Sequence, residues 1–212
     1  KELQKQTRIT LRPFCLDLTR KEDLLSLEQA LKESGGEVKF LVNAAGYGKI
    51  GPVGTASFEE EMGMVRLNCE SLCAVTRMVL PYMPHNSRII QFASAAAFLP
   101  QPDFAVYAAT KSFVLSYSRA LGEELRDRDI YVTAVCPGPV KTEFFDLAET
   151  TGQIPLYKRL VMANSRHVVR KALNDSILGR PVSVYGLTMK AFRLLSKIAP
   201  HSLLLSIMRK LS

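Results

Sequence analysis

Strand-like apolar runs alternate with longer helical stretches along this 212-residue chain, and that alternation restricts it to very few folds. Ile9–Leu16, Val38–Val42, Arg88–Ala93, Tyr131–Cys136 and Pro181–Tyr185 read as strands, rich in β-branched and other apolar residues. A helix opened by Thr19-x-x-Glu22 as a capping box and closed by Gly35-Gly36 follows the first. Ser57-x-x-Glu60 caps a helical stretch that runs, with one break, to about Pro81, and a further helix spans about Asp103 to Arg126. This βαβ order predicts an α/β, doubly wound parallel sheet with helices on both faces and ligands beyond the carboxyl ends of its strands. Asn43, Ser94 and Pro137-Gly138 each follow a predicted strand, so they should line one edge of the sheet.

A hydrophobic fraction of 47% with mixed charge fits a globular protein with a real core and excludes disorder. No repeat or domain boundary is visible, so residues 1–212 read as one domain. There is no uninterrupted apolar stretch long enough to span a bilayer, and Lys1-Glu2-Leu3-Gln4-Lys5 is too polar for a signal peptide; a cytoplasmic protein is expected. Cys15, Cys69, Cys73 and Cys136 lie scattered in apolar segments and read as buried free thiols, and His85, His167 and His201 are far apart, so no metal site is expected.

The net charge of +8 sits mostly in the tail: Asp175 is the last acidic residue, and Arg180, Lys190, Arg193, Lys197, Arg209 and Lys210 follow it unopposed in the sequence. Without interleaved stacking aromatics or a recognisable module this does not read as a nucleic-acid surface. An anionic cofactor, an anionic substrate or a membrane surface fits better.

Tyr107 and Lys111 are four residues apart and so share a helix face. A free phenol titrates near pH ~10, and a fixed cation beside it would favour the phenolate and bring the proton within reach of catalysis. Ser94 adds a hydroxyl donor for a carbonyl oxygen. A Tyr-x-x-x-Lys alone is usually plain helix surface, so its neighbours must decide. Gly46-Tyr47-Gly48-Lys49-Ile50-Gly51 spells a dinucleotide fingerprint after a strand, but Pro52 and Gly54 follow where a helix should begin, and it reads as a decoy. Asn43-Ala44-Ala45-Gly46 reads instead as a turn of small residues, either an ordinary one or one that lets backbone approach a planar ligand while the Asn43 amide pins neighbouring strands.

Asn43-Ala44-Ala45-Gly46, Asn68, Ser94, Tyr107-Ala108-Ala109-Thr110-Lys111 and Pro137-Gly138-Pro139-Val140-Lys141-Thr142 resemble, in order and spacing, the motif set of the short-chain dehydrogenase/reductase family, a group of NAD(P)-binding Rossmann-fold oxidoreductases. The similarity runs from about Arg8 to Tyr185. It implies that Tyr107 is the general acid/base, that Lys111 lowers its pKa and holds the nicotinamide ribose, that Ser94 polarises the substrate carbonyl and that Asn68 holds a water of the proton relay. It further implies that Asp17 and Leu18 meet the adenine, that Asn43, Ala44, Ala45 and Gly46 back the adenosine half, and that Pro137, Gly138, Val140 and Thr142 embrace the nicotinamide. The expected activity is hydride transfer between NADP, put ahead of NAD on the basic charge, and a small-molecule ketone, aldehyde or alcohol. A homodimer or homotetramer through the Tyr107-bearing helix is implied as well.

Two features depart from the family. Its glycine-rich phosphate loop and first two strands have no counterpart, because Lys1 already falls near the end of what would be the second helix. An upstream segment on the order of 40 residues would supply them. Ala97 stands where many members have glycine. A non-catalytic binding protein that has lost its cofactor is the rival reading. Glu143 to Ala163, with Phe144, Phe145, Leu147, Ile154, Leu156 and Leu160, reads as a lid over an apolar substrate such as a lipid, acyl chain or steroid-like ketone. Residues 188–212 read as two short amphipathic helices around Pro200, which either pack on the domain, a second copy or the substrate, or contact a membrane surface.

Overall fold

Four strands, β1 (Phe40–Asn43), β2 (Ser87–Phe92), β3 (Ile130–Val135) and β4 (Val182–Ser183), form one sheet in the order β1-β2-β3-β4, every pair parallel. The computed structural model describes residues 9–142 and 162–211, so the expected lid is outside it except for its last two residues. The helices are α1 (Lys21–Ser34), α2 (Phe58–Val65), α3 (Leu72–Val79), α4 (Ala105–Glu124), α5 (Ser165–Ile177), α6 (Leu187–Ile198) and α7 (His201–Leu211).

Alternation along each strand sends neighbouring side chains to opposite faces. Leu41, Ile89, Ile130 and Val132 point to one face, where Val75 and Val79 of α3 and Leu121 of α4 close over them and α1 leans in through Leu24, Leu27 and Leu31. Ile90 and Val135 point to the other and pack on Ala172 of α5. Fully burying one such aliphatic side chain is worth about 1.5–3 kcal/mol, so the two clusters hold the helices to the sheet. Helices on both faces of a parallel sheet make this a doubly wound, Rossmann-like fold, as the alternation predicts.

Several local expectations need correction. Residues 10–16 form no strand; Ile9 and Phe14 stay 61% and 56% exposed, Cys15 is exposed with them rather than buried, and among the described residues β1 pairs only with β2. An apolar pattern favours a strand, but only a partner's ladder makes one. Thr19 does not cap α1. Its N–H and hydroxyl both go to Asp17 Oδ1, at 2.9 and 2.7 Å, while Asp17 N–H donates to Asp23 Oδ2 at 2.8 Å, so α1 starts at Lys21 after an uncapped Arg20. Gly35 closes α1 in the left-handed conformation, at φ 57°, as expected.

The Ser57/Glu60 capping box forms in both directions at the start of α2. The break expected in the stretch that follows is a π-helical segment, Arg66–Ser71, between α2 and α3. No helix follows Gly51 directly, since α2 begins at Phe58. The tail forms α6 and α7 on either side of Pro200.

Candidate active site

Strand ends, the π segment and α4 bring Asn68, Ser94, Tyr107 and Lys111 to one place beyond the carboxyl end of the sheet. Ser94 follows β2 at the head of a short 3-10 turn, Ala95–Phe98. Its hydroxyl accepts the Ala96 N–H at 3.1 Å, and Ala95 N–H donates to the Pro137 carbonyl at 2.8 Å, which fastens this loop to the one after β3. α4 carries Tyr107 and Lys111 on its buried face, 7% and 6% exposed.

Burial pushes the Tyr107 phenol up to about 12, and the Ser94 hydroxyl pulls it partly back down. Burial likewise pushes Lys111 down to about 8, with Cys69 and Cys136 pulling the other way. Lys111 Nζ donates to the Phe92 carbonyl at 2.7 Å and lies 5.7 Å from the centre of the Tyr107 ring. This differs from the expectation that the lysine brings the phenol's pKa down. The ammonium is drawn to a backbone carbonyl, and a low-dielectric setting penalises the charged form of both groups.

Asn68 is fully buried in the π segment. Its side chain accepts the Tyr47 N–H at 3.1 Å and donates to the Tyr47 carbonyl at 2.9 Å and to Thr110 Oγ1 at 3.0 Å. Both amide hydrogens are thereby committed, and the side chain acts as a brace between the loop after β1 and α4. One extra residue in the turn, as a π segment supplies, re-aims a side chain that a regular helix would place elsewhere.

Asn43 pins its neighbours as expected, donating to Gln91 Oε1 and Thr76 Oγ1, both at 2.9 Å. Gln91, fully buried, closes the triangle by donating to Thr76 at 3.0 Å. Ala44 and Ala45 are exposed beyond it. Gly46 allows a close approach: a Cβ there would lie 2.6 Å from Asn68 Oδ1 and 3.4 Å from Lys111 Nζ.

Asp17 is exposed and held below the usual carboxylate range by the Thr19 hydroxyl and N–H. The carbonyl of Leu18 lies 2.7 Å from the Ser71 hydroxyl, which ties this turn to the π segment that holds Asn68. On the opposite flank Met189 of α6 packs against Gly138, where a Cβ would come within 2.6 Å of its sulfur. Val140 bridges Ala163, and Thr142 is exposed.

Four participants escaped the sequence reading: Gly48, Phe104, Thr110 and Tyr47. Phe104 stacks on Tyr107 at 4.3 Å between ring centres, and Gly48 lies against both rings. The Tyr47 hydroxyl donates to the Glu60 carbonyl at 2.7 Å. The Gly46-Tyr47-Gly48 repeat was the available signal, and its glycines serve close packing around Asn68 and Tyr107.

A short chain dehydrogenase family model matches residues 1–151. The chain is 36% identical over 102 residues to the very-long-chain 3-oxoacyl-CoA reductase-B of Danio rerio, a match covering 47% of this chain and 33% of that protein. It is 28% identical over 132 residues to the 3-oxoacyl-(acyl-carrier-protein) reductase of Thermotoga maritima, covering 61% and 54% respectively. The chain therefore spans between about a third and a half of the length of these curated relatives.

Among solved structures, a short-chain dehydrogenase from Sphingobium yanoikuyae in complex with NADPH superposes with a TM-score of 0.76 at 24% identity, over 94% of this chain and 80% of that one. The bulky-bulky ketone specific alcohol dehydrogenase from Comamonas testosteroni gives 0.71 at 23%, over 94% and 78%. At such identities these likenesses speak for the fold.

Proposed function

The chain belongs to the short-chain dehydrogenase family, and from that premise we propose that it is an NAD(P)-dependent oxidoreductase interconverting a ketone or aldehyde with its alcohol. The observation that carries this reading is the meeting of Ser94, at the end of β2, with Tyr107 and Lys111 on the buried face of α4. A hydroxyl and a phenol on facing elements of one site can converge on one carbonyl oxygen. As negative charge grows on that oxygen, Ser94 donates a hydrogen bond and Tyr107 gives up its proton. Burial keeps Tyr107 protonated at neutral pH, the form that reduction requires.

The residues present fit a nicotinamide dinucleotide. Lys111 spends one N–H on Phe92, and its others suit the hydroxyls of a ribose. Gly46, with no side chain, lets the backbone come close to that ammonium. Asp17 and Leu18 would meet the adenine, Asn43 to Gly46 the adenosine half, Tyr107 and Lys111 the ribose, and Pro137, Gly138, Val140 and Thr142 the nicotinamide. When bound, the cofactor supplies or accepts the hydride. NADP is the form we favour, because the net charge of +8 suits an additional phosphate.

The substrate we propose is an apolar ketone of the 3-oxoacyl type. Two relatives are named for such substrates, and Phe98, Met189 and Phe192 place apolar surface beside the loops of Ser94 and Gly138. Self-association through α4, where Phe113 is 44% exposed, is the assembly we infer.

NADPH titration of the purified protein, followed by a panel of 3-oxoacyl thioesters and bulky ketones, tests the reading. Tyr107→Phe should lower kcat by roughly 10²–10⁴-fold, the range of a lost general acid, with a much smaller change in NADPH affinity because Lys111 still holds the ribose. Equal turnover in parent and variant would remove Tyr107 as the acid, and no turnover of any substrate by the parent would leave a non-catalytic binding protein.

A further inference from the structure

α6 wears its apolar stripe on the outside. At a helical spacing of 3.6 residues per turn, Leu187, Ala191, Leu194, Leu195 and Ile198 fall on one face, and all five are exposed, with Leu187 at 83%, Leu194 at 60%, Leu195 at 51% and Ile198 at 74%. The opposite face is the one that packs: Met189 against Gly138, Phe192 against Phe98 at 6.3 Å between ring centres, Arg193 over the same ring at 5.9 Å, and Ser196 buried. Scattered exposed leucines need no explanation, but a continuous stripe along a whole helix does. Lys190 and Lys197, also exposed and two turns apart, run along one edge of it.

We propose that α6 is a docking helix for an anionic lipid surface. It would lie in the headgroup plane with Leu187, Ala191, Leu194, Leu195 and Ile198 inserted among the acyl chains and Lys190 and Lys197 on the lipid phosphates. Charge selects this occupant. Neither α6 nor α7 carries an acidic residue, so apposing the stripes of two copies would bring lysines toward lysines with no carboxylate from either helix between them. An anionic bilayer offers the missing counterions, each basic residue near such a surface adding to the attraction.

The helix lies on the membrane rather than crossing it. Its 12 residues extend about 18 Å at ~1.5 Å each, short of a hydrocarbon core ~30 Å thick. Among the described residues no helix is long and apolar enough to span. α7 adds Leu203 and Ile207, four residues apart and 55% and 47% exposed, behind a turn in which His201 Nε2 lies 3.2 Å from the Ser196 carbonyl. Because the inner face of α6 rests on Gly138 and Phe98, lipid on the outer face would sit one helix away from the Ser94 loop. Docking itself does not depend on the chemistry at Tyr107.

Flotation of the full chain with vesicles of phosphatidylcholine, with and without phosphatidylserine, tests the proposal. The parent should float with the phosphatidylserine vesicles and release as salt is raised. Leu194→Glu/Ile198→Glu should lower the bound fraction roughly tenfold or more, at an unchanged thermal midpoint because both positions are exposed. Lys190→Glu/Lys197→Glu should remove the preference for phosphatidylserine. The proposal is overturned if the parent floats with neither vesicle or if the Leu194/Ile198 variant floats like the parent. A parent that stays off vesicles but halves in mass on that substitution would assign the stripe to a second copy instead.

Discussion

Gly48 lies flat against Tyr107: a Cβ at this position would stand 2.7 Å from ring atom Cδ2 and 3.1 Å from Phe104. Both rings are buried and stacked on each other, so neither can swing away. Gly48→Ala should therefore push the phenol off its line to Ser94. Overpacking of this kind costs about 1–3 kcal/mol in stability. Misplacing a reacting group should lower kcat by roughly 10- to 100-fold with a smaller change in KM. A thermal midpoint paired with steady-state kinetics checks both, and an unchanged kcat would show that the loop yields instead of the ring.

Asn68 offers a second test of how the site is held. Asn68→Ala removes its bonds to Tyr47 and Thr110 and leaves the partly buried Tyr47 N–H and carbonyl without this partner. One unpaired buried group costs about 1–3 kcal/mol, so urea denaturation should show a loss of that size. Asn68→Asp should restore only the bond to the Tyr47 N–H, because a carboxylate cannot donate to the Tyr47 carbonyl. Asp, which also buries a charge against the Tyr47 carbonyl, should be no more stable than the Ala variant at neutral pH, and Thr110→Val should be milder than either.

The sheet, its parallel sense and the chemistry at its carboxyl edge were legible because each rests on a local pattern. Period and β-branching marked β2 and β3, Ser57 and Glu60 marked the start of α2, and Tyr107 with Lys111 marked the site. What escaped was set by contacts between distant segments. Residues 10–16 carry a strand's pattern but lack a described partner, and Thr19 was captured by Asp17. The shifts of Tyr107 and Lys111 come from burial, which no spacing reveals. Nor could sequence say which face of α6 turns outward, since its two faces both carry apolar residues.

Lys111 gives the pH dependence a definite sign. Its usual value of 10.5 falls to about 8 in the folded protein because burial disfavours the ammonium. Between those two values the unfolded chain binds more protons than the native one, so this group makes stability rise with pH across the window. Its contribution is complete above the unfolded value and lost as pH falls through about 8. Tyr107 works in the opposite sense at higher pH, since its phenol is raised from 10.0 to about 12 and its contribution is lost as pH climbs through that range. Urea titrations from neutral to about pH 10 should show the rise in the parent and not in Lys111→Met. NADPH affinity should weaken above about pH 8 in the parent as Lys111 loses its charge, and that limb should be absent in the variant.

Asp175 holds the far flank of the site in place. Its side chain, 2% exposed, takes Lys171 Nζ at 2.7 Å and Arg180 at 2.8 Å, joining α5 to the entry of β4. β4 in turn holds the strand that leads to Pro137, through the Cys136 N–H to the Ser183 carbonyl at 2.8 Å. Burial alone would raise this carboxyl, but hydrogen bonds from Lys171, Ser183 and Arg180 outweigh it and hold it below the usual carboxylate value. The stability it contributes is therefore present above pH 3.8 and lost as pH falls through the depressed native value. Asp175→Asn keeps the shape and removes the charge. Because Lys171 and Arg180 can turn back to water, the loss should be about 1–3 kcal/mol, the cost of charged hydrogen bonds rather than of a stranded buried ion. Denaturation of parent and variant at neutral and acid pH checks this: their stabilities should differ at neutral pH and converge in acid, and a gap independent of pH would mean that packing, not charge, is what Asp175 supplies.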